Sequence, residues 1–265
     1  MSIALITLSQ EGLLLAEIVS AKLPDHMVYA HESVDRSGSG PNTEIQPFDA
    51  VMDLTGRIFR EFKGLVFFGP CGVAVRAVAP HVRHKLEDPA VVVVDVCGRY
   101  AVSLLSGHEG GANDLTLAVA DALGAEPVIS TTTEARKRFI VGVGCRKGAL
   151  AETIRAAIIS GLSDAGVSTE EVRLIASADI KKEEPGLIEA ARTLRIPLRF
   201  VPSDEIRKST REFRHSDFVE SRVGLPAVAE PAALLAGRRT QLILPKRKYD
   251  GVTIAVAKES CSWSE

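Results

Sequence analysis

The chain has 265 residues and a mass of 28.4 kDa, with 46% apolar and 25% charged residues and a net charge of -2. That length accommodates one large α/β domain or two of about 130 residues each. The composition excludes a disordered, collagen-like or coiled-coil chain, and no apolar run is long enough to span a membrane.

Ile3–Leu8 reads as a first strand and Leu13–Leu23 as a helix, with Leu14, Ile18 and Ala21 on one face. His31 to Asn42 is rich in turn formers and predicts an exposed loop. Leu65–Phe68 is a short buried strand that stops at Gly69-Pro70-Cys71-Gly72, and Val73–Ala79 begins a helix curtailed by Pro80. Ala90–Val96 is a continuous apolar run, suited to a strand covered on both faces. Cys97-Gly98-Arg99 turns it back, and Tyr100–Leu105 returns as its antiparallel partner. Ser106–Asp114 then opens a helix carrying Leu115, Ala118, Val119, Ala122 and Leu123 and closed by Gly124, before a short strand at Pro127–Ser130.

Thr131–Arg138 is polar and coincides with a change in charge. Residues 1–134 carry 9 Lys+Arg against 17 Asp+Glu, a net -8, whereas residues 135–265 carry 23 against 17, a net +6. This divides the chain into an N-terminal α/β domain, 1–134, and a basic C-terminal α/β domain, 135–265. Beyond the division, Phe139–Gly144 is a strand and Ala149–Leu162 a helix with Leu150, Ile154, Ala157, Ile158 and Leu162 on one face. Ser168 with Glu171 fits a capping box before the strand Arg173–Ala176. Glu184-Pro185-Gly186 starts a helix that ends near Arg195, and Leu198–Val201 is the next strand. Glu230-Pro231 opens a last helix, ahead of a closing strand pair at Gln241–Leu244 and Val252–Ala257. The alternation of strands and helices implies mostly parallel sheets in βαβ units.

A basic half suits an anionic ligand, but its Lys and Arg are scattered and its aromatics sparse, so nucleic acid is not the expected partner. The N-terminus has no basic n-region or cleavage site, which makes a cytoplasmic protein the default. Cys71, Cys97, Cys145 and Cys261 are widely spaced, giving no metal pattern and no expected disulfide in that compartment. A homodimer is left open.

Three segments carry chemistry. The first is Ser-Leu-Leu-Ser-Gly-His-Glu-Gly-Gly-Ala-Asn-Asp, ending at Asp114. A strand feeding a Gly-rich loop into a helix offers backbone N–H groups at a positive dipole end, and Gly107, Gly110 and Gly111 let a ligand approach. His108 and Glu109 add an acid/base pair. The second is Cys71 before a helix, with Arg76 one turn on and His81, His84, Lys85 and Asp88 nearby; a thiol so placed can act as a nucleophile, or be a buried packing residue. The third is Val141–Gly148, again strand, Gly turn and helix. It approaches a dinucleotide fingerprint but lacks the acidic residue at the end of the next strand. Arg146 and Lys147 at a helix N-terminus would suit a carboxylate or phosphate equally.

The segments GPCGVAVRAVAPHV, EDPAVVVVDVCGRYAVSLLSGHEGGAND, LGAEPVISTTT, VGVGCRKG and VGLPAVAEPAALLA, in this order, resemble the cobalt-precorrin-5A hydrolases, the CbiG family of the anaerobic cobalamin pathway. The match covers residues 65–133 and 139–257. The middle section that members of this family commonly carry is absent, because Thr133 leads almost directly to Phe139.

The resemblance implies opening of the δ-lactone of cobalt-precorrin-5A, with loss of acetaldehyde, to give cobalt-precorrin-5B. It implies no protein-held metal or cofactor, since the cobalt travels with the substrate. On that reading His108 or Glu109 activates water, while the Gly110 and Gly111 amides with Asn113 stabilise the oxyanion. Cys71 as a covalent nucleophile is the second choice. Arg76, Cys145, Arg146, Lys147, Lys181, Lys182 and Glu230 are the expected substrate contacts, with the tetrapyrrole carboxylates meeting the basic half at a cleft between the halves. Two alternatives stand beside it, a corrinoid carrier without chemistry and a nucleotide-dependent enzyme built on Val141–Gly148.

Overall fold

The chain forms two α/β units, Met1–Thr131 and Thr132–Glu265, in the computed structural model, which describes residues 2–38, 40, 44–214 and 224–260. Cys261 and part of the turn-rich stretch up to Asn42 lie outside the described residues.

The first unit is a seven-stranded sheet in the order β3-β2-β1-β4-β5-β6-β7. Its strands are β1 Ile3–Thr7, β2 His26–His31, β3 Ile45–Phe48, β4 Gly64–Phe68, β5 Ala90–Val94, β6 Tyr100–Leu105 and β7 Glu126–Val128. β1 to β5 are mutually parallel, β6 runs antiparallel to β5, and β7 is parallel to β6. β1, β4 and β5 are buried at every position, as strands covered on both faces must be.

Their side chains alternate between two cores. Leu5, Val66 and Val92 meet Leu13, Ala16 and Val19 of α1 (Gln10–Ser20) and Leu115 and Val119 of α4 (Ala112–Leu123). Ile6, Phe67 and Val93 meet Leu54 and Ile58 of α2 (Val51–Ile58) and Ala74, Ala77 and Val78 of α3 (Cys71–Val78). The face assigned to the first helix from sequence is therefore corrected. Leu14 and Ile18 are exposed, and the buried stripe is the one through Leu13, Ala16 and Val19.

The second unit is a five-stranded sheet in the order β10-β9-β8-β12-β11. β8 Phe139–Gly144, β9 Val172–Ala178 and β10 Leu198–Val201 are parallel, while β12 Val252–Glu259 runs antiparallel to β8 and pairs with β11 Thr240–Tyr249 as a hairpin. Apart from the short α5 (Thr132–Ala135), its α-helices among the described residues are α6 Ala151–Ala165, α7 Pro185–Leu194, α8 Ser203–Lys208 and α9 Ala229–Leu235. α6 and α7 cover one face, and α9 covers the other. The Ser168–Glu171 capping box forms as expected, and Pro185 stands in the first turn of α7. Leu150 departs from its expected place on the buried face of α6, lying exposed at the N-cap instead.

Candidate active site

The direction of β6 decides where the chemistry sits. Leu105 pairs with Val91 and Ala101 with Val94, so β6 ends where β5 begins. The loop from Ser106 to Gly111 therefore lies beside the segment preceding β5, and Glu109 forms an ion pair with Lys85 at 2.5 Å. Cys71 leaves β4 at the other edge of the sheet, where the Gly69 amide donates to the Val94 carbonyl at 2.9 Å. A five-residue strand separates those edges, a span of about 17 Å.

From sequence, Cys71 and Arg76 are grouped with His81, His84, Lys85 and Asp88. The topology corrects this, because α3 carries the chain back across the sheet before those residues occur. Cys71 is exposed in the first turn of α3, and the Arg76 guanidinium donates to the Gly72 carbonyl at 3.1 Å. Neither can share a small reacting centre with His108. Asp88 is buried and accepts from the Arg83 amide with both carboxylate oxygens, at 3.1 and 2.9 Å, which closes the segment beside the Gly-rich loop. The His81 ring packs on Phe59, with centroids 5.7 Å apart.

Within the loop, the Ser106 carbonyl accepts from the amides of Gly110 and Ala112, each at 3.1 Å, and the Gly107 carbonyl accepts from Asn113 at 2.9 Å. The Gly110 amide is thus spent, which removes it from the expected oxyanion donors. A Cβ on Gly110 would strike Ser106, and one on Gly107 would strike Thr131 and Asn113, so close packing, not ligand approach, demands glycine at both. Gly111 differs. It caps α4 at φ +84, a Cβ there would meet open space, and its amide has no hydrogen-bond partner among the described residues.

Asn113 also moves out of the expected reacting centre. It is 6% exposed, its Oδ1 accepts from Ser103 Oγ at 2.8 Å, and its Nδ2 donates to Thr131 Oγ1 at 3.1 Å. With its amide committed on both sides, it pins the first turn of α4 to β6 and to the segment after β7.

His108 and Glu109 both project to solvent. The hydrogen bond from Lys85 holds the Glu109 carboxyl below the ordinary range. Such a carboxylate is a poor proton acceptor near neutral pH. His108 is left as the group suited to take a proton from water. Ser103, Ser106 and Thr131 were not singled out as site residues from sequence, and Lys85 was grouped with Cys71, not with this loop. Only a strand-exit Ser beside Gly107 gave a local signal.

In the second unit, Gly142 lies inside β8, where a Cβ would collide with the Ala229 carbonyl of α9. The chain then runs through 145–150 before α6 begins, so Arg146 and Lys147 are exposed loop residues and not at a helix N-terminus. Both points count against a dinucleotide turn, because the glycine serves helix packing and residues 145–150 separate β8 from α6. Cys145 is half-buried, and burial pushes its thiol up against a smaller opposing effect from Lys181.

Lys181 pairs with buried Glu184 at 3.4 Å, and Glu184 also accepts from the Gly148 amide at 2.8 Å. Lys182 is exposed. Glu230 is corrected as a substrate contact. It is 0% exposed and accepts from the backbone amides of Arg214 and Lys246, at 2.5 and 2.8 Å, so it ties backbone segments together. Among the described residues, no group of three or more His, Cys, Asp or Glu could hold a metal ion, and no helix is long and apolar enough to cross a membrane.

Two family models match this chain, cobalamin synthesis G N-terminal over residues 53–134 and cobalamin synthesis G C-terminus over residues 139–257. The chain belongs to the cobalamin synthesis G family. A cobalt-precorrin-5A hydrolase of Salmonella typhimurium is 27% identical over 348 residues, covering 96% of this chain and 97% of that protein. One from Priestia megaterium is 25% identical over 353 residues, covering 96% and 94%. Protein CobE of Sinorhizobium sp is 35% identical over 128 residues, covering 48% of this chain and 83% of that one. Both longer alignments exceed the 265 residues of this family member, so those relatives carry residues with no counterpart here. The two matches are separated only by residues 135–138, where the missing middle section is expected.

Proposed function

We propose that the chain is a cytoplasmic cobalt-precorrin-5A hydrolase that opens the substrate δ-lactone and releases acetaldehyde. The observation that carries this reading is the exposed His108 on a loop that ends at Gly111, the N-cap of α4, whose amide has no partner among the described residues. His108 takes a proton from the attacking water, and the lactone carbonyl oxygen becomes an oxyanion facing the Gly111 amide and the α4 dipole. Collapse breaks the ester C–O bond, leaving a carboxylate and a hydroxyl. When that hydroxyl loses its proton, the adjacent C–C bond breaks, acetaldehyde departs, and the electron pair left on the macrocycle is protonated.

Lys85, on the segment preceding β5, pairs with Glu109 within the loop. Exposed Arg146, Lys147 and Lys182 are suited to the peripheral carboxylates of the tetrapyrrole. No protein-held metal or cofactor is required, because the cobalt is part of the substrate. The test is incubation of the purified chain with cobalt-precorrin-5A and a trap for free acetaldehyde. Release that disappears in His108→Ala supports the assignment; tight corrinoid binding without acetaldehyde would make the chain a carrier instead.

A further inference from the structure

Ser106 combines two unfavourable features. Its backbone lies at φ +58, the left-handed region that disfavours side-chain-bearing residues, although glycine occupies the next position and would adopt it freely. Its hydroxyl belongs to a residue only 7% exposed and has no hydrogen-bond partner among the described residues. Buried hydroxyls in folded proteins are paired in the large majority. Packing alone does not ask for oxygen here, since alanine would fill nearly the same space. Backbone strain together with an unpaired polar atom is characteristic of positions held for function.

Gly110 lies directly against the Ser106 side chain, and its amide hydrogen bond to the Ser106 carbonyl helps close the loop. The pins from Asn113 to Ser103 and Thr131 hold α4 independently of that closure. A shift of Gly110 can therefore uncover the Ser106 side chain while Gly111 and the helix stay in place.

We infer that Ser106 Oγ is a catalytic hydrogen-bond donor of the lactone site, uncovered when Gly110 shifts and directed at the lactone carbonyl oxygen. This rests on the function proposed above. Ser106 Oγ and the Gly111 amide, which has no hydrogen-bond partner among the described residues, form the donor pair that acyl transfer requires.

The experiment compares Ser106→Ala and Ser106→Gly with the parent in acetaldehyde release from cobalt-precorrin-5A, alongside thermal unfolding. Alanine removes the hydroxyl and keeps the side-chain restriction; glycine removes both hydroxyl and strain. The expected result is a loss in kcat of roughly 10²–10³-fold in each, with KM nearly unchanged and the glycine variant unfolding at or above the parent temperature. Activity within about three-fold of parent in either variant overturns the assignment. If alanine does not fold, the glycine variant decides alone. A parent protein that releases no acetaldehyde overturns the proposed function itself, whereas an active parent with active Ser106 variants overturns only this inference.

Discussion

Lys85 pairs with Glu109 across the opening of the Gly-rich loop, at 2.5 Å and with both side chains partly open to solvent. Because the pairing lowers the Glu109 carboxyl in the folded state, the stability it gives is complete above the unfolded carboxyl titration and is lost as pH falls through the folded one. In Lys85→Met, the Glu109 carboxyl should titrate at higher pH than in the parent, as read from its side-chain carbon resonance. Unfolding near neutral pH should change little, as exposed pairs contribute little. An unmoved titration would show that another group sets the Glu109 carboxyl.

Asn113→Ala strips the Ser103 and Thr131 hydroxyls of their shared partner. Loss of these bonds in a site only 6% exposed should cost about 1–3 kcal/mol in urea unfolding. Acetaldehyde release should fall as well, because the α4 N-terminus is no longer pinned. Parent-like stability and turnover would remove Asn113 from the frame of the site.

Cys71→Ser is expected to keep activity within about two-fold, whereas His108→Ala should lose about 10²–10⁴-fold, the range usual for a general base. The two residues sit at opposite edges of one sheet. A Cys71 variant as inactive as the His108 variant would contradict the assignment of the reacting centre to the Gly-rich loop.

Gly142→Ala places a methyl group against the Ala229 carbonyl. Overpacking of this kind costs about 1–3 kcal/mol, visible as a lower urea midpoint with an unchanged slope. An unaffected midpoint would mean that α9 shifts without cost.

Much of the fold was legible because apolar runs announced it. Ala90–Val94 and Gly64–Phe68 are central strands, and the hairpin from β5 to β6 showed in its Gly98 turn. β2, β3 and α2 were not legible. β2 carries a histidine at each end, and β3 contains Pro47, which is tolerated there because β3 is an edge strand. α8, short and charged, lacked a recognisable apolar period. At the site, the loop itself was found from its glycines and its His108-Glu109 pair. The separation of Cys71 from that loop follows from the very hairpin already recognised, since a reversed strand delivers its exit to the opposite edge. The roles of Asn113, Glu184 and Glu230 depend on burial and on partners distant in sequence, which residue spacing does not carry.

The reversal of β6 against β5 also sets how substitutions in the first unit combine. Free-energy changes at positions well over 10 Å apart, with no shared partner, are close to additive. Variants around Cys71 and Arg76 can therefore be stacked on variants around Lys85, His108 and Asn113 with their separate effects intact, whereas changes among the latter three should show epistasis.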